Sequence, residues 1–300
     1  MNTSTSVYRG RFAPSPTGPL HFGSLAAAAG SFLEARTKGG EWLLRMEDVD
    51  APRCAKTAAD EILRTLEACG FAWDGAVVWQ SRRTDVYAAA LERLKIHGRV
   101  FACACTRKEL ADSAIAPDGA AIYPGTCRQG LAAGRPARAW RLRVGDARVG
   151  FDDSIQGRIG SDLAGEAGDF ILLRADGLFA YQLAVVVDDA AAGITHVVRG
   201  ADLLASTSRQ IFLQQCLGVP TPDYAHLPVA INAAGEKLSK QTRAAAVDVS
   251  RPGPALYAAL DFLGQRPPSM LSRAPVNEIW EWARANWGLS QVTRGPKFSG

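Results

Sequence analysis

Residues 11–24 read RFAPSPTGPLHFGS, and the organisation of the chain follows from what lies on either side of them. Residues 7–12 before the stretch read as a strand, and residues 25–36 after it form an Ala-rich helical segment, so His21 and Gly23 fall at a helix N-terminus. There the first backbone N–H groups lack intrahelical partners and the helix dipole is positive, which favours phosphate, while Gly23 lets a ligand come close to the backbone. Pro14, Pro16 and Pro19 stiffen the approach, and Gly18 permits a turn. Strand, stiff loop and helix in this order begin a doubly wound α/β domain built on a parallel sheet.

The pattern continues with a strand at 41–46 and helices at 55–69 and 84–98; Ile62, Leu63, Leu66 and Cys69 recur at helical spacing and Gly70 is a natural stop. From 100 to 168 the texture changes to short apolar runs, Gly/Pro breaks and strand-like alternation at 139–144, as expected for an inserted subdomain. The sheet should resume with strands at 170–174, 181–187, 195–198 and 227–231 and a helix at 206–217. The expected organisation is therefore 1–99 and 169–245 as two halves of one domain, 100–168 as an insertion, and 246–300 as a short helical region. That last region holds helices at 254–263 and 276–287, with Ile279, Trp280, Ala283 and Trp287 on one face. Packing on the main body is the simplest role for that face and for Trp282, ahead of stacking on bases.

A second string, Lys237-Leu-Ser-Lys240, comes more than two hundred residues after the first. Two lysines around a small hydroxyl residue suit a clamp on a polyphosphate, although alone the string reads as a solvated basic loop. Together the two strings resemble the ATP-binding motifs of class I aminoacyl-tRNA synthetases. Arg11-Phe-Ala-Pro-Ser-Pro-Thr-Gly18 resembles the glutamate branch of that class, as do Arg45-Met-Glu-Asp48, Leu178-Phe-Ala-Tyr181 and Val198-Arg199-Gly-Ala-Asp202. The family's first string often ends in His where this chain has Ser24. The resemblance spans residues 7–264 and implies a Rossmann-like catalytic domain.

At 300 residues and 47% hydrophobic, with a net charge of +4, the chain has enough apolar content for a substantial core, and its charge permits nucleic-acid binding without requiring it. No stretch approaches the length of a membrane span, and the first residues lack an export pattern, so a cytoplasmic enzyme with no membrane partner is expected. Only 60 residues follow Lys240, too few for the anticodon-reading domain of a full glutamyl-tRNA synthetase. In this the chain resembles the truncated members of the branch, the glutamyl-queuosine tRNA(Asp) synthetases. That resemblance implies ATP-dependent, tRNA-independent activation of glutamate, then transfer to queuosine in the anticodon of tRNA(Asp). The alternatives are a compact enzyme charging a tRNA 3′ end and a non-catalytic zinc-containing RNA-binding paralogue.

The six cysteines do not suggest disulfides in a chain without an export signal. Cys103, Cys105 and Cys127 offer three thiolates within 25 residues, one short of a zinc set, and the fourth ligand is open between His97 and Tyr123. Ligand chemistry favours the imidazole, whereas the resemblance implies Tyr123 and a structural Zn2+. Cys54, Cys69 and Cys216 read as small apolar core residues.

For glutamate, the resemblance implies Arg11, Phe12, Ala13, Pro14, Ser15, Glu47, Tyr181 and Arg199 as the pocket. Arginines suit the carboxylates and Glu47 suits the ammonium. It implies His21, Gly23, Ser24 and Lys240 for ATP, with His21, Lys237 and Lys240 acting on the phosphates, and Mg2+ accompanying ATP. Arg128, Arg135, Arg138, Arg141 and Arg143 form a cluster that is either an RNA-docking surface or a solvated face.

Overall fold

The computed structural model describes residues 7–55, 57–111, 113–116, 119, 121–232 and 245–298. Strand β1 (Arg9–Phe12) runs into helix α1 (Phe22–Thr37) and then strand β2 (Glu41–Met46), which pairs with β1 in parallel. Helix α2 (Ala58–Ala68) leads to the short strand β3 (Val78–Trp79), parallel to β2, and helix α3 (Thr84–Ile96) follows. α1 begins at Phe22, three residues before the apolar run that suggested it, because His21 is its N-cap and its ring accepts from the Ser24 N–H at 3.4 Å. Almost every residue of α1 from Leu25 to Ala35 is buried, so an Ala-rich helix fits here as a central element. At Gly30 a Cβ would come within 2.8 Å of the Leu227 side chain, so the helix packs more closely there than any larger residue allows.

Next come β4 (Val100–Cys103) and β5 (Ala139–Leu142), then the hairpin of β6 (Arg148–Asp153) and β7 (Gly157–Asp162), a single helical turn α4 (Leu163–Glu166), and β8 (Ile171–Leu173). β4, β5 and β8 form a separate antiparallel sheet. The strand at 170–174, expected to resume the main sheet, therefore closes this smaller one instead. Under it lies a core of only a few buried residues, Phe101, Cys103, Ala104, Tyr123, Cys127 and Ala139.

The segment expected as a strand at 181–187 is helix α5 (Tyr181–Ala191). Leu183, Ala184, Val185 and Val186 are all buried, and a short apolar run without polar alternation does not distinguish a strand from a buried helix. Strand β9 (His196–Gly200), helix α6 (Leu204–Leu217) and strand β10 (Asp223–Leu227) follow, with β10 parallel to both β9 and β6. The strand expected at 227–231 is divided: β10 ends before Pro228 and β11 (Ala230–Ile231) is separate, since proline cannot donate within a ladder. β1 abuts β9, with the Thr195 N–H donating to Arg9 O at 3.0 Å and the Arg9 N–H to Thr195 Oγ1 at 2.8 Å. The strand order is thus β3-β2-β1 on one side and β9-β10-β6-β7 on the other, with the chain reversing direction across the sheet at β1 and β9. The β6–β7 hairpin falls inside the span read as an insertion, yet it extends the main sheet through Asp153 opposite Tyr224.

Helices α7 (Pro252–Phe262) and α8 (Val276–Asn286) cover α1, and β12 (Lys297–Phe298) pairs with β11. The tryptophans pack inward: Trp280 lies against Phe32 and Phe71 and donates to Cys69 O at 2.8 Å, Trp282 packs on the core, and Trp287 donates to Glu34 Oε2 at 2.7 Å. Cys69 is a core residue and Cys216 lies at a core edge, whereas Cys54 stands outside the core with its thiol directed at Asp50 O. Among the described residues no helix is long and apolar enough to cross a membrane.

Candidate active site

In an open parallel sheet, ligands sit beyond the carboxyl ends of the strands where the strand order reverses. Arg11 lies near that end of β1, Glu47 directly follows β2, and Arg199 lies near the end of β9. Tyr181 is the first residue of α5. These four line one cleft of about 790 Å3, together with Phe12, Ala13, Pro14, Ser15, His21, Gly23 and Ser24. Every described residue expected to handle glutamate or ATP therefore borders the same space. Lys237 and Lys240 lie outside the described residues.

The loop from 13 to 20 is held by backbone bonds to the segment after β2: Glu47 N–H donates to Pro14 O at 3.0 Å and Ala55 N–H to Pro16 O at 3.1 Å. Gly18 takes a φ of +153°, a conformation that L side chains rarely adopt. The loop delivers the chain to His21, which caps α1 and also bridges to Ala246. The N-terminus of α1, whose first N–H groups have no intrahelical partner, stands beside the cleft, where an anion is favoured.

Behind the cleft lies a charge network that the sequence did not reveal. Arg11 Nε and Nη2 donate to Asp189 at 3.3 and 3.4 Å, Arg45 Nη1 donates to Asp189 Oδ1 at 2.6 Å, and Arg45 Nη2 donates to Glu47 Oε1 at 3.2 Å. Asp188, next in line on α5, accepts from Gln80, Arg83 and Tyr87 at 2.6–2.9 Å. Burial works against the charge on Asp189, but the guanidiniums of Arg11 and Arg45 hold its carboxyl below the usual range. Burial pushes Glu47 the other way, up, against the pull of Arg45 and Arg11. The result is a wall carrying a buried anion at Glu47 and cations at Arg11 and Arg199, the charge pattern required by an amino acid with an acidic side chain. Arg45 had appeared only as part of a matching string, and Asp188 and Asp189 fell just beyond the strand expected at 181–187. Two adjacent acids closing a buried apolar run were the signal available for them.

Arg199 is held by neutral groups. Its Nε donates to His226 Nε2 at 3.2 Å, its Nη2 to Thr207 Oγ1 at 2.9 Å and Gln210 Oε1 at 2.8 Å, and its Nη1 to the Tyr181 hydroxyl at 3.3 Å. Burial raises the Tyr181 phenol, keeping it protonated.

A second constellation lies in the small antiparallel sheet. The sulfurs of Cys103, Cys105 and Cys127 lie within 4.8 Å of one another, and the Tyr123 hydroxyl is 3.6 Å from Cys103 Sγ and from Cys105 Sγ. The 3.6 Å separations match the roughly 3.5–3.8 Å between ligands around a tetrahedral zinc ion, so the set suits a metal. The Cys127 N–H donates to the Tyr123 oxygen at 2.7 Å and the Ala104 N–H to Cys127 Sγ at 3.5 Å, contacts that favour the anionic forms metal binding requires. His97, the other candidate, is exposed at the end of α3, its Nδ1 2.7 Å from Arg93 O, and does not join the cluster.

Most of the neighbouring arginines make contacts within this module. Arg141 is buried over the Tyr123 ring and donates to Asp169 O, Arg128 bridges Asp169 at 2.8 Å, Arg143 donates to Arg128 O, and Arg135 joins Glu109 to Ala104 O. Arg138 is exposed.

Residues 7–263 match the family described as tRNA synthetases class I (E and Q), catalytic domain. Proteins named glutamyl-Q tRNA(Asp) synthetase are similar along nearly their whole length. That of Aromatoleum aromaticum is 63% identical over 294 residues, covering 98% of this chain and 93% of the relative. That of Dechloromonas aromatica is 63% identical over 291 residues, covering 96% and 97%. Among solved structures, a glutamate-tRNA synthetase from Elizabethkingia anophelis superposes with a TM-score of 0.82 at 24% identity, over 98% of this chain and 68% of that one, a likeness of fold.

Proposed function

Because the chain belongs to the catalytic-domain family of the class I glutamate and glutamine tRNA synthetases, we propose that it activates glutamate with ATP and transfers it to queuosine in the anticodon of tRNA(Asp). The observation that carries this is the shared cleft: Arg11, Glu47, Tyr181 and Arg199 stand on the same space as the α1 N-terminus. One end suits glutamate and the other suits phosphate, so the two substrates meet.

In the first step a glutamate α-carboxylate oxygen attacks the α-phosphorus of ATP; the new P–O bond forms as the bond to pyrophosphate breaks. Chemistry of this kind needs alignment and charge stabilisation rather than a covalent catalyst. Arg11 and Arg199 receive the substrate carboxylates, Glu47 receives the ammonium, and Ser15 and Tyr181 add neutral hydrogen bonds. His21, Gly23 and Ser24 border the phosphates, while Lys237 and Lys240 meet charge growing on the pyrophosphate. Mg2+ travels with the ATP phosphates. In the second step a hydroxyl of the queuosine cyclopentene ring attacks the acyl carbon, AMP leaves, and the phosphate of the adenylate can take the hydroxyl proton.

The Cys103, Cys105, Tyr123 and Cys127 set would hold Zn2+, which supplies four bonds to a module with too little core to fold tightly alone. We read residues 1–99 and 169–245 as the catalytic halves, with the metal module in the insertion between them and 246–300 as a helical cover, in a cytoplasmic enzyme.

Glutamate-dependent ATP–pyrophosphate exchange tests the first step. Exchange in the absence of RNA is expected; its absence from zinc-replete protein overturns the reading.

A further inference from the structure

The two cleft arginines are backed in opposite ways. Arg11 faces the carboxylate of Asp189, whereas the partners of Arg199 are His226, Thr207, Gln210 and Tyr181, all uncharged when the imidazole is neutral. An arginine has only donors, so the 3.2 Å contact from Arg199 Nε requires a bare, accepting Nε2 on His226. The imidazole proton is then on Nδ1, which stands 2.6 Å from Asp153 Oδ2. Asp153 is itself fixed: its Oδ1 accepts from the N–H groups of Ile155, Gln156 and His226 at 3.0, 2.8 and 3.1 Å. Both side chains are fully buried. Neither borders the cleft.

We infer that Asp153 and His226 are positioning residues for glutamate recognition: Asp153 fixes the His226 tautomer, and His226 aims the Arg199 guanidinium while leaving its positive charge to be met by a substrate carboxylate. Three of the five guanidinium N–H groups are spent on the wall behind, which leaves the Nη1 edge, beside Tyr181, facing the cleft. A carboxylate in place of His226 would neutralise Arg199 before substrate arrived, and an imidazolium would oppose it with like charge at 3.2 Å. Burial and the nearby Arg199 hold the imidazole below its usual value, consistent with a neutral ring. The chain thus places an acid from the β6–β7 hairpin, a ring from β10 and an arginine from β9 in one line ending at the substrate.

The inference rests on the functional reading above, and one set of measurements separates the two. D153N keeps an oxygen for the three backbone N–H groups but offers an amide N–H to His226 Nδ1, driving the ring proton onto Nε2, where it faces Arg199 Nε–H. The KM for glutamate in ATP–pyrophosphate exchange should rise about 10- to 100-fold, as for loss of a hydrogen bond to a charged group, with the KM for ATP nearly unchanged. H226Q with Asp153 intact, whose amide N–H can donate to Asp153 while its oxygen accepts from Arg199, should keep the glutamate KM within about threefold of wild type, whereas H226L, which offers no acceptor, should reproduce the D153N loss. In an R199K background the effect of D153N should shrink, because the two act through one group. A glutamate KM within about twofold of wild type in D153N, or a loss in H226Q as large as that in D153N, overturns the inference while wild-type exchange keeps the functional reading intact. No glutamate-dependent exchange in the wild type overturns both.

Discussion

Arg45 Nη1 lies 2.6 Å from Asp189 Oδ1, and the same carboxylate receives Arg11, so one buried acid on α5 fixes two guanidiniums, of which Arg11 lines the cleft. Removing its charge leaves Arg11 without its carboxylate partner and Arg45 with only Glu47 and the more distant Asp188. D189N is therefore expected to destabilise the fold by about 3–5 kcal/mol, the range for breaking a buried ion pair from one side. Urea unfolding monitored by tryptophan fluorescence measures this. A loss below about 1 kcal/mol would assign the network a surface-like weight.

Glu47 is the anion expected to meet the substrate ammonium, and E47Q should raise the glutamate KM about 10- to 100-fold with a small effect on ATP. Its carboxyl is raised by burial, so on acidification it becomes neutral at a higher pH than an exposed carboxyl. Glutamate affinity should accordingly fall on the acid side before the substrate's own carboxylates titrate, and E47Q should lack that limb. Steady-state exchange across pH reads both effects.

At the phosphate end, H21A removes the α1 cap, which costs about 1 kcal/mol of stability, and should also slow activation. K240A should slow activation about 10²- to 10³-fold, the usual effect of losing one preorganised electrostatic stabiliser, without changing the melting temperature. Pre-steady-state pyrophosphate release distinguishes the two variants.

The metal module gives a spectroscopic prediction. Purified protein should carry about one zinc ion per chain, and cobalt substitution should give sulfur-to-metal charge-transfer bands that C127A abolishes. Y123F, which keeps three thiolates, should lose metal to a chelator faster than wild type. H97A should not, since His97 stands apart from the cluster.

Burial depresses both His226 and His196. In the unfolded chain an imidazole binds its proton near about pH 6.5, while the folded rings resist protonation until lower pH, so the unfolded state takes up more protons as pH falls. Their contribution to stability is complete above that value and is lost progressively below it; Asp153, itself depressed, stays charged throughout. The melting temperature should decline between about pH 7 and pH 5.5, before the bulk of carboxylates titrate. A flat profile over that interval would contradict the buried neutral assignment.

Local signals carried the sequence reading far in some places. The Pro/Gly loop, the helix after it and the residues Arg11, Glu47, Tyr181 and Arg199 were legible because motif and strand end coincide, and the cleft brings them together. Tyr181 was placed in the site but on the wrong kind of element, since a run of buried Leu, Ala and Val carries no period. Asp189 was illegible for another reason: its meaning lies in Arg45, 144 residues away in sequence, and no local pattern marks a partner at that distance. His226 was illegible for the same reason, since its side-chain partners Asp153, Arg199 and Thr207 come from two other strands and a helix. Charge counting did not foresee that Arg128, Arg135, Arg141 and Arg143 each make a contact inside the metal module.

The most direct test offers labelled glutamate and ATP together with tRNA(Asp) carrying queuosine, tRNA(Asp) lacking it, and tRNA(Glu), and then locates the label by nuclease fragmentation. The account predicts label only on the queuosine-containing tRNA(Asp), confined to the anticodon fragment. Label at the 3′ end of tRNA(Glu), or equal labelling of tRNA(Asp) with and without queuosine, would contradict it.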